Sequence, residues 1–142
     1  MKLVDQKDVC LMTSNPTEGE LAILRVLWAR REPSTVRDVH QSLSRTKDTA
    51  YTTVLKMMTI MAEKGLVKRD ESERSHRYCA TNPEPVVQSS LLKDLMQRAF
   101  GGSTARLVQS ALDADAASAD ELDQISRMIA EAKEQRRKGG QR

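Results

Sequence analysis

Aromatic residues are scarce in this sequence: Trp28, Tyr51, Tyr78 and Phe100 make up 3% of 142 residues. A core must therefore be assembled from Leu, Val, Ile, Met and Ala, a palette that favours helices over sheets. Cysteine is scarcer still. Cys10 and Cys79 cannot supply a disulfide framework, which points to a reducing compartment and a cytoplasmic protein. No apolar run approaches the roughly 18 residues that a membrane-spanning helix needs, so no membrane insertion is expected. The N-terminal stretch MKLVDQKDVCLMTSNP carries acids through its apolar part and makes a poor secretory signal. The histidines are His40 and His76, and neither sits in a metal-ligand or nucleophile motif. Phosphate-cradling glycine motifs are missing too. The expectation is a chain with no catalytic residues, no metal and no cofactor, hence not an enzyme.

What is present is charge, unevenly spread. The net charge is a mild +3, yet residues 45–69 hold six Lys/Arg against two acids. Residues 81–135 are acidic, with five Lys/Arg against nine Asp/Glu, and the last seven residues, RRKGGQR, carry four positive side chains. A basic segment followed by an acidic helical one suits a polyanion-binding head joined to an assembly module.

Residues 1–15 show no periodicity and read as a flexible leader. Thr17 and Glu20 form a capping box that opens a helix with Leu21, Leu24, Leu27 and Trp28 on one face, Trp28 being the expected aromatic anchor. Arg30-Arg31-Glu32-Pro33 ends it. Ser34 and Thr35 can cap a short second helix that buries Val36, Val39 and Leu43. A third helix is expected from about Thr49 to Lys64, stopped by Gly65, with Val54, Met57, Met58 and Met61 inward. Leu66 to Arg69 and His76 to Ala80 read as two short strands around the charged turn 70–75, and Asn82-Pro83-Glu84-Pro85 as a break. Beyond the break the pattern is helical, interrupted at Gly101-Gly102 and again near 113–117, where Ser118 and Glu121 form another capping box.

Helix, short helix, turn, helix and two-stranded ribbon is the order of a winged helix-turn-helix, whose third helix reads the major groove and whose ribbon is the wing. The fold class is thus mainly α with a small β-hairpin wing. The expected domains are a leader over 1–15, a winged-helix domain over 16–82, a helical dimerisation domain over 83–135 and a disordered basic tail over 136–142. Candidate DNA contacts are Tyr51, Thr52, Thr53 and Lys56 on the third helix and Arg74, His76 and Arg77 on the wing. Ser34 and Thr35 at a helix start, and Arg45 and Lys47 in the inter-helix turn, are candidate phosphate contacts. His40 is placed on an outer face without a chemical role, and Cys79 as a small core residue. Three short helices can hardly bury the apolar residues Leu91, Leu92, Leu95, Met96, Phe100, Leu107, Leu112, Leu122, Ile125, Met128 and Ile129 alone. Pairing with a second copy would, and a two-fold dimer presents two reading heads to a palindromic duplex site.

The chain resembles the BlaI/MecI/CopY (penicillinase repressor) family of bacterial winged-helix transcription factors. The resemblance rests on Ala50-Tyr51-Thr52-Thr53-Val54-Leu55, continuing through Lys56-Met57-Met58 to Ala62-Glu63-Lys64-Gly65-Leu66-Val67, and on the wing Glu73-Arg74-Ser75-His76-Arg77-Tyr78. Glu20 to Leu24 with Leu27-Trp28, Thr35 to Val39, and Gly101-Gly102 followed by Leu107-Val108 extend it over about residues 16–132. It implies a homodimeric repressor on a dyad-symmetric operator in double-stranded DNA. In one branch of the family it also implies release when a membrane sensor metalloprotease triggers repressor cleavage. Ser110-Ala111 stands where the beta-lactam repressors carry the scissile Asn-Phe, and Ile60 where the third helix commonly carries an Arg. No cysteine follows Cys79, unlike the copper-sensing branch. The competing reading is a winged helix used for protein–protein contact without DNA, for which the sequence names no acidic partner.

Overall fold

The computed structural model describes residues 15–115 and 117–139, so all of the expected leader except Asn15, and the last three residues of the basic tail, lie outside the described residues. Six helices and two strands follow in the order α1 (Glu18–Arg30), α2 (Val36–Leu43), α3 (Tyr51–Lys64), β1 (Val67–Asp70), β2 (Arg77–Ala80), α4 (Glu84–Phe100), α5 (Thr104–Asp113) and α6 (Ala119–Gly139). The described residues form two compact units that divide between Lys93 and Asp94, within α4.

Local chemistry explains the boundaries. Thr17 and Glu20 close the expected capping box on α1, and Thr35 with Asp38 closes a second on α2. Arg31 ends α1 in the left-handed region at φ 60°, ahead of Pro33. Gly65 ends α3 at φ 86°, a conformation open to glycine at no steric cost. The hairpin is antiparallel, pairing Val67 with Ala80 and Asp70 with Arg77. A further bridge joins Ser34 to Tyr78, whose amides donate to each other's carbonyls at 2.9 and 2.8 Å.

The core of the first unit gathers Ile23, Leu24 and Leu27 from α1, Val36 and Val39 from α2, and Val54, Met58 and Met61 from α3. Leu66, Val67 and Tyr78 from the wing root and Val87 from α4 complete it. Three expectations are corrected. The buried stripe of α1 is Glu20, Ile23, Leu24 and Leu27, turned by about one position from the expected one, because a buried carboxylate occupies its first place. The buried aromatic is Tyr78, 2% exposed, whereas Trp28 is half-buried and its Nε1 donates to the Asn82 carbonyl at 3.0 Å. The indole thereby fastens α1 to the residues ahead of α4, and Cys79, expected as a small core residue, is instead exposed beside Tyr78 because successive strand residues face opposite sides.

The C-terminal unit differs in kind. Neither α5 nor α6 buries a single described residue. The helix expected to end before a disordered tail continues through Arg136, Arg137 and Lys138 to Gly139, with basic residues in its last turn favoured by the negative end of the helix dipole. Among the described residues no helix is long and apolar enough to cross a membrane, and no group of His, Cys, Asp and Glu could hold a metal ion.

Candidate nucleic-acid interface

The three helices of the first unit begin differently. α1 and α2 each carry a carboxylate in the first turn as part of a capping box, whereas α3 opens at Ala50 with no side-chain cap and no acid in its first turn. The first turn of α3 therefore sets no carboxylate of its own at the positive end of the helix dipole, which suits approach by an anion. Along its outer face, Tyr51, Thr52, Thr53, Leu55 and Lys56 are all exposed.

A cleft of about 440 Å³ opens beside this face. Thr35, Val36 and Arg37 of the α2 start line one wall, Tyr51 and Leu55 of α3 another, and Arg74, Ser75, His76 and Tyr78 of the wing a third. The Ser34–Tyr78 bridge holds the wing root against the start of α2. Of the residues proposed from sequence, Thr35, Tyr51, Arg74 and His76 meet in this cleft, and Thr52 and Lys56 are exposed on the same helix. Arg77 is exposed at the base of the wing, with its Nε donating to Glu73 at 3.3 Å.

Other candidates lie elsewhere. Ser34 is fully buried. Its Oγ accepts from Arg30 Nε at 2.7 Å and donates to the Glu32 carbonyl at 3.1 Å, so the hydroxyl is committed to the interior. Thr35 is half-buried, and its hydroxyl accepts from the Asp38 amide at 3.1 Å, which makes it the cap of α2. The reciprocal hydrogen bond from the Thr35 amide, aided by Arg30 and Arg77, holds the Asp38 carboxyl below its ordinary range. Lys47 and Thr53 line a different depression with Glu18, Gly19 and Asp48, and Arg45 lies with Arg25 between α1 and α2.

Three residues of the site escaped the sequence reading. Arg37 lines the cleft, exposed and without an ion pair among the described residues. Its signal was its place two residues after the Thr35 cap, on the outward face of an amphipathic helix. Leu55 is 41% exposed in the cleft, although its type reads as core. His40, placed on an outer face, instead ties α2 to the chain entering α3. Its Nε2 lies 2.8 Å from the Thr49 carbonyl, which can only accept, so that nitrogen carries the proton. The ring meets Tyr51 edge to face at 5.6 Å between centroids.

The apolar residues proposed for dimerisation are largely open. Leu92, Leu95, Leu112, Leu122, Met128 and Ile129 are exposed, Met128 by 60%. Met96, Phe100, Leu107 and Ile125 are half-buried, while Leu91, itself in the first unit, packs against that unit's core.

The model of the family described as penicillinase repressor matches residues 16–131. A protein named transcriptional regulator BlaI from Mycobacterium tuberculosis, in strains CDC 1551 / Oshkosh and ATCC 25618 / H37Rv, is 37% identical over 114 residues, covering 79% of this chain and 80% of the relative. An uncharacterized 16.5 kDa protein in the ptsI 3′ region of Latilactobacillus sakei is 20% identical over 117 residues, covering 82% of this chain and 80% of its own length.

Proposed function

From the premise that this chain belongs to the penicillinase repressor family, we propose that it is a homodimeric, cytoplasmic transcriptional repressor that binds a dyad-symmetric operator in duplex DNA. The family is one of repressors, not of enzymes. The observation that carries the reading is the cleft in which the first turn of α3, which has no acid of its own, meets Arg37 of α2 and Arg74 and His76 of the wing.

In this reading α3 enters the major groove. Thr52 and Lys56 face base edges or the near phosphates, and Leu55 offers an apolar surface to a thymine methyl. Tyr51, braced by His40, packs on the sugar-phosphate. Arg37, Arg74 and Arg77 neutralise phosphates on either side, and Lys47 and Arg45 lie along the backbone's outward path. Ser34 takes no part. Two copies, joined through the exposed apolar residues of α4, α5 and α6, set the half-site spacing.

Release follows from a signal that separates the copies. A sensor metalloprotease cutting in α5 would do so; Ser110 and Ala111 are exposed there but lie inside a helix, which such a protease must first unwind. Fluorescence anisotropy with duplexes from the chain's own upstream region, followed by footprinting, tests the proposal. The expected result is protection of two half-sites about one helical turn or a multiple apart, with affinity falling steeply as salt rises. Absence of any salt-dependent duplex binding would leave the winged helix as a protein–protein module.

A further inference from the structure

α6 is the longest helix among the described residues, 21 residues, and it buries none of them. Leu122, Ile125, Ile129 and Ala132 follow one another at spacings of three, four and three, the seam of a two-helix coil. Its charge is sorted by end. Asp120, Glu121 and Asp123 dominate the first half, against Arg127, while Lys133, Arg136, Arg137 and Lys138 outweigh Glu131 and Glu134 in the second. A shallow depression brings the two features together, where Ile129 and Ala132 lie beside Lys133, Arg136 and Arg137.

Resting on the homodimer reading above, we infer that α6 packs against the α6 of a second copy in antiparallel orientation, the acidic half of each against the basic half of the other. A parallel pair sets acid on acid at one end and base on base at the other. An antiparallel pair crossing near Ile129 sets Asp120 and Glu121 beside the partner's Arg136 and Lys138 at both ends, and opposes the two helix dipoles. The charges also suit the dipole of their own helix, but that contribution is the same in either orientation. Only the attraction between copies discriminates. The stems of Arg136 and Lys133 extend the apolar seam while their heads reach the facing carboxylates.

The test uses the full chain with Cys10→Ser, Cys79→Ser and Ala119→Cys, spin-labelled at the exposed first residue of α6. Sedimentation is measured first, then the distance between labels by pulsed electron resonance. An antiparallel pair places the labels about 30 Å apart along the axis at 1.5 Å per residue. A parallel pair places them side by side, within about 20 Å once the label arms are added to a helix spacing of about 10 Å. A dimer with a narrow distribution near the long distance supports the inference. A dimer at the short distance, or well beyond 45 Å (roughly the helix length plus two label arms), overturns the orientation while leaving the homodimer intact. A monomer overturns both readings. A second measurement uses charge alone. Arg136→Glu with Arg137→Glu and Lys138→Glu is expected to weaken the dimer at least tenfold at low salt, and adding Asp120→Lys, Glu121→Lys and Asp123→Lys to restore it. Weakening that the added lysines do not restore counts against the antiparallel pair.

Discussion

Lys64, the last residue of α3, reaches back to the first turn of α1 and donates from Nζ to Glu20 Oε2 at 2.8 Å. The other carboxylate oxygen accepts the Thr17 amide at 3.0 Å. Glu20 thus caps its own helix and receives the end of α3, although it is 5% exposed. Burial acts to raise its carboxyl, but the hydrogen bonds from Lys64 and Thr17 and the charge of Lys64 outweigh it and hold the group below its ordinary value.

Lys64→Ala leaves that carboxylate buried without its cation. The half-exposed lysine limits the loss, and a cost of about 1–3 kcal/mol is expected in urea denaturation. The pH dependence has a definite sign. A carboxyl depressed by folding contributes stability above its ordinary value of 4.5, and the contribution is lost as pH falls through the lower folded value. Stability of the native chain should therefore fall steeply on acidification below 4.5, and the Lys64→Ala curve should be flatter there. Parallel curves for the two proteins would mean the pair has no such role.

Gly65→Ala tests the end of the same helix. A Cβ there meets nothing within 4 Å, but the residue sits at φ 86°, so the cost is backbone strain alone. Thermal denaturation should show a loss of about 1–2 kcal/mol. A neutral or stabilising change would indicate that the turn relaxes out of the left-handed region.

Lys56→Ala and Arg37→Ala each remove one exposed cation of the proposed interface. Each should weaken duplex binding across sequences and make the plot of log affinity against log salt shallower by about 0.9 for every phosphate no longer neutralised. An unchanged slope for Arg37→Ala would take the start of α2 out of the interface. Lys93→Ala, an exposed cation of α4 assigned to neither the DNA-facing nor the pairing surface, serves as a control of equal charge, for which the slope should not move.

Leu95→Asp places a charge among the exposed apolar residues of α4. Sedimentation should show monomers, and duplex binding should fall with the dimer because each half-site alone is held weakly. An intact dimer would remove this face from the pairing surface.

Much of the first unit was legible in the sequence because its signals are local. The capping box at Thr17, the cap at Thr35, the stop at Gly65 and the charged turn between the wing strands each act within a few residues. The misjudged positions depend on distant partners. Glu20 reads as surface until Lys64, far along the chain, makes its burial tolerable. Tyr78, the buried aromatic, and Ser34, an interior residue, meet in one bridge between distant parts of the sequence that no periodicity announces. Arg37 and Leu55 joined the cleft because α2, α3 and the wing converge there, which is a property of packing rather than of any one segment.

The Ser34–Tyr78 bridge also has a kinetic meaning. It closes a long loop of chain before any DNA arrives, so the wall carrying Arg37 and the wall carrying Arg74 and His76 are not two arms that must find each other on the duplex. The ordering entropy is already spent in folding. Association should then proceed at a rate set by diffusion and electrostatic steering, as for a rigid body, and variants that loosen the bridge should slow arrival on DNA before they alter which sequence is chosen.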